Sequence, residues 1–214
     1  MSKYLVPLTG GRLGRRLARL TSGLVLFGIG IGLMLQSGLG VPPWDVLHQG
    51  LSRQFGLTVG MWSIIVSIIV LLLWIPLGER YGVGTLLNTV IIGLVIDITA
   101  VVFPFAGDAL IAWVMLISGV IAIGVASGLY IGANLGPGPR DGLMTGIAKR
   151  GPSIRLTRVL IEVTVLAIGW ALGGTFGVGT VVFALAIGPL VQFFLPRLSV
   201  SAGVPTDAWE HLDR

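Results

Sequence analysis

The sequence predicts an all-α integral membrane protein of six transmembrane helices, arranged as two inverted three-helix repeats, each with a short broken helix after its first span. Three observations predict it. Hydrophobic residues make up 54% of the chain and charged residues 11%, and the mean hydropathy is +0.96, far from the averages of soluble domains. The apolar residues gather into stretches of about 20, the length that crosses a hydrocarbon core. Finally, LGVPPWDVLHQGL at 39–51 is answered by LGPGPRDGLMTGI at 135–147, so the chain is duplicated.

Residues 1–19 are expected to form a basic cytoplasmic segment. In GRLGRRLARL, Leu13, Leu17 and Leu20 share one helical face and Arg12, Arg15, Arg16 and Arg19 take the rest. This suits either a short basic helix on an anionic leaflet or an ordinary positive-inside anchor. A cleaved signal peptide is rejected, since the apolar run that follows is too long and has no Ala-x-Ala site.

The first repeat is expected over 20–104 and the second over 109–196, with a cytoplasmic tail over 197–214. Spans are read at Leu20–Leu39, Thr58–Leu77, Thr85–Phe103, Leu110–Leu135, Leu156–Leu172 and Thr180–Phe194. With both termini cytoplasmic, 13 of the 14 basic residues fall on the inner side and only Arg53 falls outside. Trp62 and Trp113 then stand at outer boundaries and Trp74 near an inner one. The net charge of +5 flanks apolar segments instead of forming a solvated patch, so no nucleic-acid partner is expected.

Aligning Gly28–Ser52 with Gly124–Ala148 gives nine identities in 25 positions, among them Gly40/Gly136, Pro43/Pro139 and Asp45/Asp141. The match resumes with Trp74/Trp170, with GVGT at 82–85 and 177–180, and with Ile92–Gly93 and Ile187–Gly188. Three spans per copy turn the second copy upside down, an arrangement that recurs in secondary transporters with a site near the pseudo-axis. Pro43, Pro139, Gly40 and Gly136 mark the helix breaks, and the segments after them are too short to span.

Asp45 and Asp141 follow those prolines. They are read either as first-turn residues facing the positive end of a helix dipole, or as proton or cation ligands lining a pathway. His48, three residues from Asp45, shares its face and could relay a proton, although the second copy has Met144 there. Arg140 lies where a glycine-rich turn and a helix start offer N–H groups to an anion, or is simply a cytoplasmic arginine. Trp44 completes the first phrase. Asp97 is an intramembrane acid with no charged sequence neighbour, and its repeat partner is Gln192. Asn134, with Asn88 and Gln36, reads more weakly as a polar lining residue. Arg158 and Glu162 are spaced for an i,i+4 ion pair. Gly28-x-x-x-Gly32 and Gly124-x-x-x-Gly128 allow close helix packing, within one chain or in a homodimer.

No cysteine is present, and His48 and His211 are the two histidines, so no metal site is expected. No nucleophile–base set and no P-loop appears, so neither an enzyme nor a cofactor is expected. The phrases LGxxPxDxLxxGL, WIPLGER, LYIGANLGPGPRDGLMTG and GVGT resemble the YczE/YitT-like family of small bacterial membrane proteins from about Gly28 to Phe194. That resemblance implies the helical fold and a bacterial inner-membrane location, and assigns no substrate. The residues lead first to a transporter or facilitator of a small solute, coupled through Asp45 and Asp141 to protons or cations. Two further readings are a binding subunit that needs an energising partner and a helper protein that handles lipid. The lipid bilayer and a small solute are the expected partners.

Overall fold

The computed structural model describes residues 13–199. These form eight helices and no strand: α1 (Leu13–Ser37), α2 (Pro43–Phe55), α3 (Val59–Leu77), α4 (Val83–Val102), α5 (Ala109–Gly132), α6 (Pro139–Ala148), α7 (Ile154–Ala171) and α8 (Val178–Leu198). The all-helical expectation holds. Lys3, Arg12, His211, Arg214 and nearly all of the expected tail lie outside the described residues.

Five helices, α1, α3, α4, α5 and α8, are long and apolar enough to cross a membrane. The segment read as the sixth span is helix α7, which is not among those five, and its 18 residues include Arg155, Arg158 and Glu162. The short segments after the prolines are helices of 13 and 10 residues, α2 and α6. Leu72, Leu73, Ile98, Val101 and Leu185 all face outward, as lipid-facing side chains do.

Each helix start has a local cause. Thr58, Asp108 and Ser153 accept hydrogen bonds from the N–H groups of Met61, Ile111 and Leu156, and so cap α3, α5 and α7. Pro43 and Pro139 open α2 and α6, where the missing N–H costs nothing. In the two GVGT phrases the threonine hydroxyl accepts the N–H of the leading glycine, Gly82 to Thr85 at 3.1 Å and Gly177 to Thr180 at 3.4 Å.

The core is the packing of α1 against α5, with α4 on the far side of α1 and α8 on the far side of α5. Leu20, Leu24, Ile31, Met34, Leu116 and Ile123 fill it. Glycines bring the axes close: an added Cβ at Gly23 would stand 2.9 Å from Tyr130 N, and one at Gly119 2.7 Å from Gly30 O.

The expectation for the basic N-terminal segment is corrected in part. From Leu13 onward it is no separate surface helix but the first turns of α1. Arg16 is buried and donates to the carbonyls of Ala133 (2.9 Å) and Asn134 (2.6 Å) at the end of α5. A guanidinium suits this place, where carbonyls run out of helical partners. Arg16→Leu is expected to lower stability by about 2–3 kcal/mol, the range for a hydrogen bond to a charged donor plus orphaned acceptors. Denaturant unfolding in micelles measures it, and a loss under about 0.5 kcal/mol would refute the role.

The turns before α2 and α6 dock on the GVGT helix starts. Gly84 N–H donates to Leu135 O at 2.8 Å, and Gly179 N–H to Leu39 O at 2.7 Å. Gly40 (φ +117°) and Gly136 (φ +120°) form the contact, against Gly177 and Gly82, with backbone angles a side chain would disfavour.

One packing relation is unequal. α3 lies along α4, with Gly60 against Gly93 and the Asp97 carboxylate accepting Gly60 N–H at 2.8 Å. α7 and α8 barely touch, and a Cβ added at Gly188, the repeat partner of Gly93, would meet nothing within 4 Å.

Candidate functional site

The starts of α2 and α6 meet inside the bundle. Pro43 and Pro139 set their first turns, which places Asp45 and Arg140 side by side: Arg140 Nη2 lies 3.6 Å from Asp45 Oδ1. The guanidinium also sits over the indole of Trp44, 5.2 Å from the ring centre. His48 Nδ1 lies 3.0 Å from Asp45 Oδ1, one helical turn along. With an ionised Asp45 that nitrogen carries the proton and donates.

Asp45 and His48 are fully buried, and Arg140 is partly exposed. Burial pushes the Asp45 carboxyl up, but Arg140 and His48 outweigh it and hold it below its usual range. Burial keeps the His48 imidazole below its ordinary value despite Asp45 beside it.

Three buried polar atoms on this turn of α2 have no hydrogen-bond partner: Trp44 Nε1, Asp45 Oδ2 and His48 Nε2. Native structures leave few such atoms, and each calls for a reason. Both aspartates lie in the first turns of their helices, as read, without capping a backbone N–H: Asp45 faces His48 and Arg140, and Asp141 accepts from the Tyr130 hydroxyl at 2.9 Å.

A cavity of about 370 Å³ opens beside this group. Trp44, Asp45, Arg140 and Asp141 line it, together with residues of α1, α3, α4, α5, α7 and α8, and its volume is within the range of small-molecule sites. Arg158 and Glu162 form the expected ion pair at 2.9 Å and border it from α7. Gln192 and Gly188 border it from α8.

Asp97 and Asn134 lie elsewhere. Both Asp97 oxygens are occupied, one by Gly60 N–H and the other by the Thr58 hydroxyl at 2.5 Å, so Asp97 secures the start of α3. It borders a separate hollow of about 530 Å³ with Leu35, Thr58 and Phe105. Asn134, at φ +55°, turns the chain after α5 and offers its carbonyl to Arg16. Gly40, Gly136, Pro43 and Pro139 shape the backbone around the site. Residues that the motifs did not single out complete the lining: Tyr130, Ser63, Ser67 and Ser127. Tyr130 could have been found from the repeat, since its partner position is the apolar Met34. Among the described residues no group of three His, Cys, Asp or Glu side chains stands together to hold a metal ion.

The family of unknown function DUF6198 matches residues 14–196. The chain belongs to this family. Three relatives resemble the chain over most of its length. One, from Haemophilus influenzae, is described as an uncharacterized protein and is 41% identical over 183 residues, covering 85% of this chain and 84% of its own. The uncharacterized membrane protein YczE of Bacillus subtilis is 36% identical over 179 residues, 82% of this chain and 83% of its own. The uncharacterized protein YyaS of the same organism is 29% identical over 181 residues, 81% and 89%. No solved structure matches. The resemblance read from the Pro-x-Asp and GVGT phrases is thereby borne out, and this DUF6198 chain is a multi-pass membrane protein.

Proposed function

We propose that the protein is a transporter or facilitator of a small solute, with its pathway between two inverted three-helix repeats of α1–α4 and α5–α8. The observation that carries this reading is the cavity into which Asp45 of one repeat and Arg140 of the other both reach.

The contacts support the two-fold relation. Under the 96-residue shift of the alignment, Gly23 against Tyr130 becomes Gly119 against Met34, and both contacts are present. After the one-residue deletion that shortens the shift to 95 at the GVGT phrases, Gly84 on Leu135 likewise becomes Gly179 on Leu39. Trp44 and Arg140 occupy equivalent positions and touch each other, as residues beside a two-fold axis must. Short helices that start at the centre of a bundle, around a buried charge, are a transporter's means of building a site at mid-membrane. The unequal packing supports passage as well: α3 lies closed on α4 while α7 is parted from α8, and exchange of the two arrangements would give the cavity access from alternate sides.

In this reading α7 is the sixth span, both termini are cytoplasmic, and the membrane is the bacterial inner membrane. The absence of cysteine makes the topology directly testable. Phe55→Cys, before α3, and Pro152→Cys, before α7, are expected to react with an impermeant thiol reagent from opposite faces of the membrane. Labelling of both from one face would refute the inverted repeat. Proteoliposomes holding this chain alone, tested with a panel of amines, amino acids and carboxylates, are expected to take up at least one solute faster than empty liposomes. No uptake of any of them would overturn the transport reading.

A further inference from the structure

The cavity contains five charged side chains, and their sum is informative. Arg140 lies 3.6 Å from Asp45 and Arg158 lies 2.9 Å from Glu162, so each cation has an acid beside it. Asp141 is left over: it accepts the Tyr130 hydroxyl and has no ion-pair partner among the described residues. The formal charges of the lining side chains therefore sum to one negative charge. Asp141 is itself exposed, and an unpaired carboxylate lining a cavity of a membrane protein attracts a counter-ion.

Two independent features describe that counter-ion. Asp45 Oδ2, fully buried on a residue that lines the cavity, is an acceptor with no donor, so a ligand bearing N–H groups completes it. Phe27, Trp44, Tyr130 and Phe183 line the cavity, and Phe27 meets Tyr130 edge-on at 5.9 Å between centres. Aromatic walls suit an apolar body and attract a positive head through the ring faces.

We infer that the cavity binds a small organic cation, a primary or secondary ammonium with an apolar body, with Asp141 as its counter-ion and Asp45 Oδ2 as a further acceptor. An anion would have to displace Asp45 from Arg140 and would leave Asp141 uncompensated. The inference rests on the pathway reading of the same cavity, and it names the solute class that pathway would carry.

Three probes of similar size separate the head groups: 2-phenylethylamine, 3-phenylpropionate and 3-phenylpropan-1-ol. Thermal unfolding of the purified full chain in micelles at neutral pH is followed against the concentration of each. The amine is expected to raise the melting temperature at concentrations about tenfold or more below those needed of the other two, the equivalent of one charge interaction of ~1.4 kcal/mol. Asp141→Asn is expected to weaken the amine about tenfold, while Asp141→Glu, which keeps the charge, restores most of the effect. Stronger stabilisation by the carboxylate, or an amine response unchanged in Asp141→Asn, would overturn the inference. Amine binding without flux of any solute would overturn the transport reading alone, and uptake confined to carboxylates would overturn this inference alone.

Discussion

Arg140→Gln is expected to destabilise the fold by about 3–5 kcal/mol, the range for removing one partner of a buried ion pair. The reason lies on the other side of the pair. Asp45 is fully buried, its Oδ2 already lacks a partner, and without the guanidinium the carboxylate would keep only the His48 N–H. The loss should fall mainly on the seam where the start of α6 meets the start of α2, and Trp44 would lose its stacked cation as well. Asp45→Asn with Arg140→Gln removes both charges together and is expected to recover a substantial part of the loss, since neutral amides of nearly the same size replace an unpaired ion. Reversible unfolding of the four proteins in mixed micelles completes the cycle. Additive losses in the double variant would mean that the two side chains are neighbours without being partners.

The second large effect is a methyl group. In Gly60→Ala the new Cβ would stand 2.0 Å from the carbonyl oxygen of Gly93 and 2.6 Å from Asp97 Cγ. The nearer obstacle is backbone, so no rotamer change relieves it, and α3 must move off α4. That movement also draws Gly60 N–H away from Asp97, whose bond of 2.8 Å secures the helix start. A loss of about 3 kcal/mol or more is expected, at the upper end for overpacked sites. Gly188→Ala is the matched control, because its Cβ enters open space. It should leave stability unchanged or raise it by up to about 1 kcal/mol, the helix preference of alanine over glycine. Equal losses at both positions would contradict the unequal packing of α3–α4 and α7–α8.

Most of the helix plan was legible in the sequence because lipid-length apolar runs and proline breaks are local signals. Pro43 and Pro139 placed the two short helices correctly, and Arg158 with Glu162 needed only helical spacing. Residues 13–19 were misread in part because an arginine's destination is a tertiary matter: nothing near Arg16 announces that the end of α5 will lie beside it. The partners of Asp97 were hidden for the same reason. An acid without charged neighbours in sequence is not unpartnered when a threonine hydroxyl and a glycine N–H from another helix occupy it. The meeting of Asp45 with Arg140 was half legible. The repeat brought the two phrases to attention, but whether the short helices turn inward or lie flat depends on the fit of Gly40 and Gly136 against the GVGT starts, and that fit spans the whole chain.

Those two glycine turns also bear on how the protein is made. Leu39 O is satisfied by Gly179 N–H, and Gly84 N–H by Leu135 O, so neither half of the chain closes its own turn. At roughly 5–20 residues per second, the carbonyl at position 39 waits on the order of ten seconds for its donor at position 179 to be synthesised. The first four helices are therefore delivered with two unpaired backbone groups, Gly84 N–H until the turn at position 135 is made and Leu39 O until the start of α8. Truncation just before α8 removes a span together with the donor for Leu39 O, and should yield a product that inserts yet is destroyed by membrane quality-control proteases.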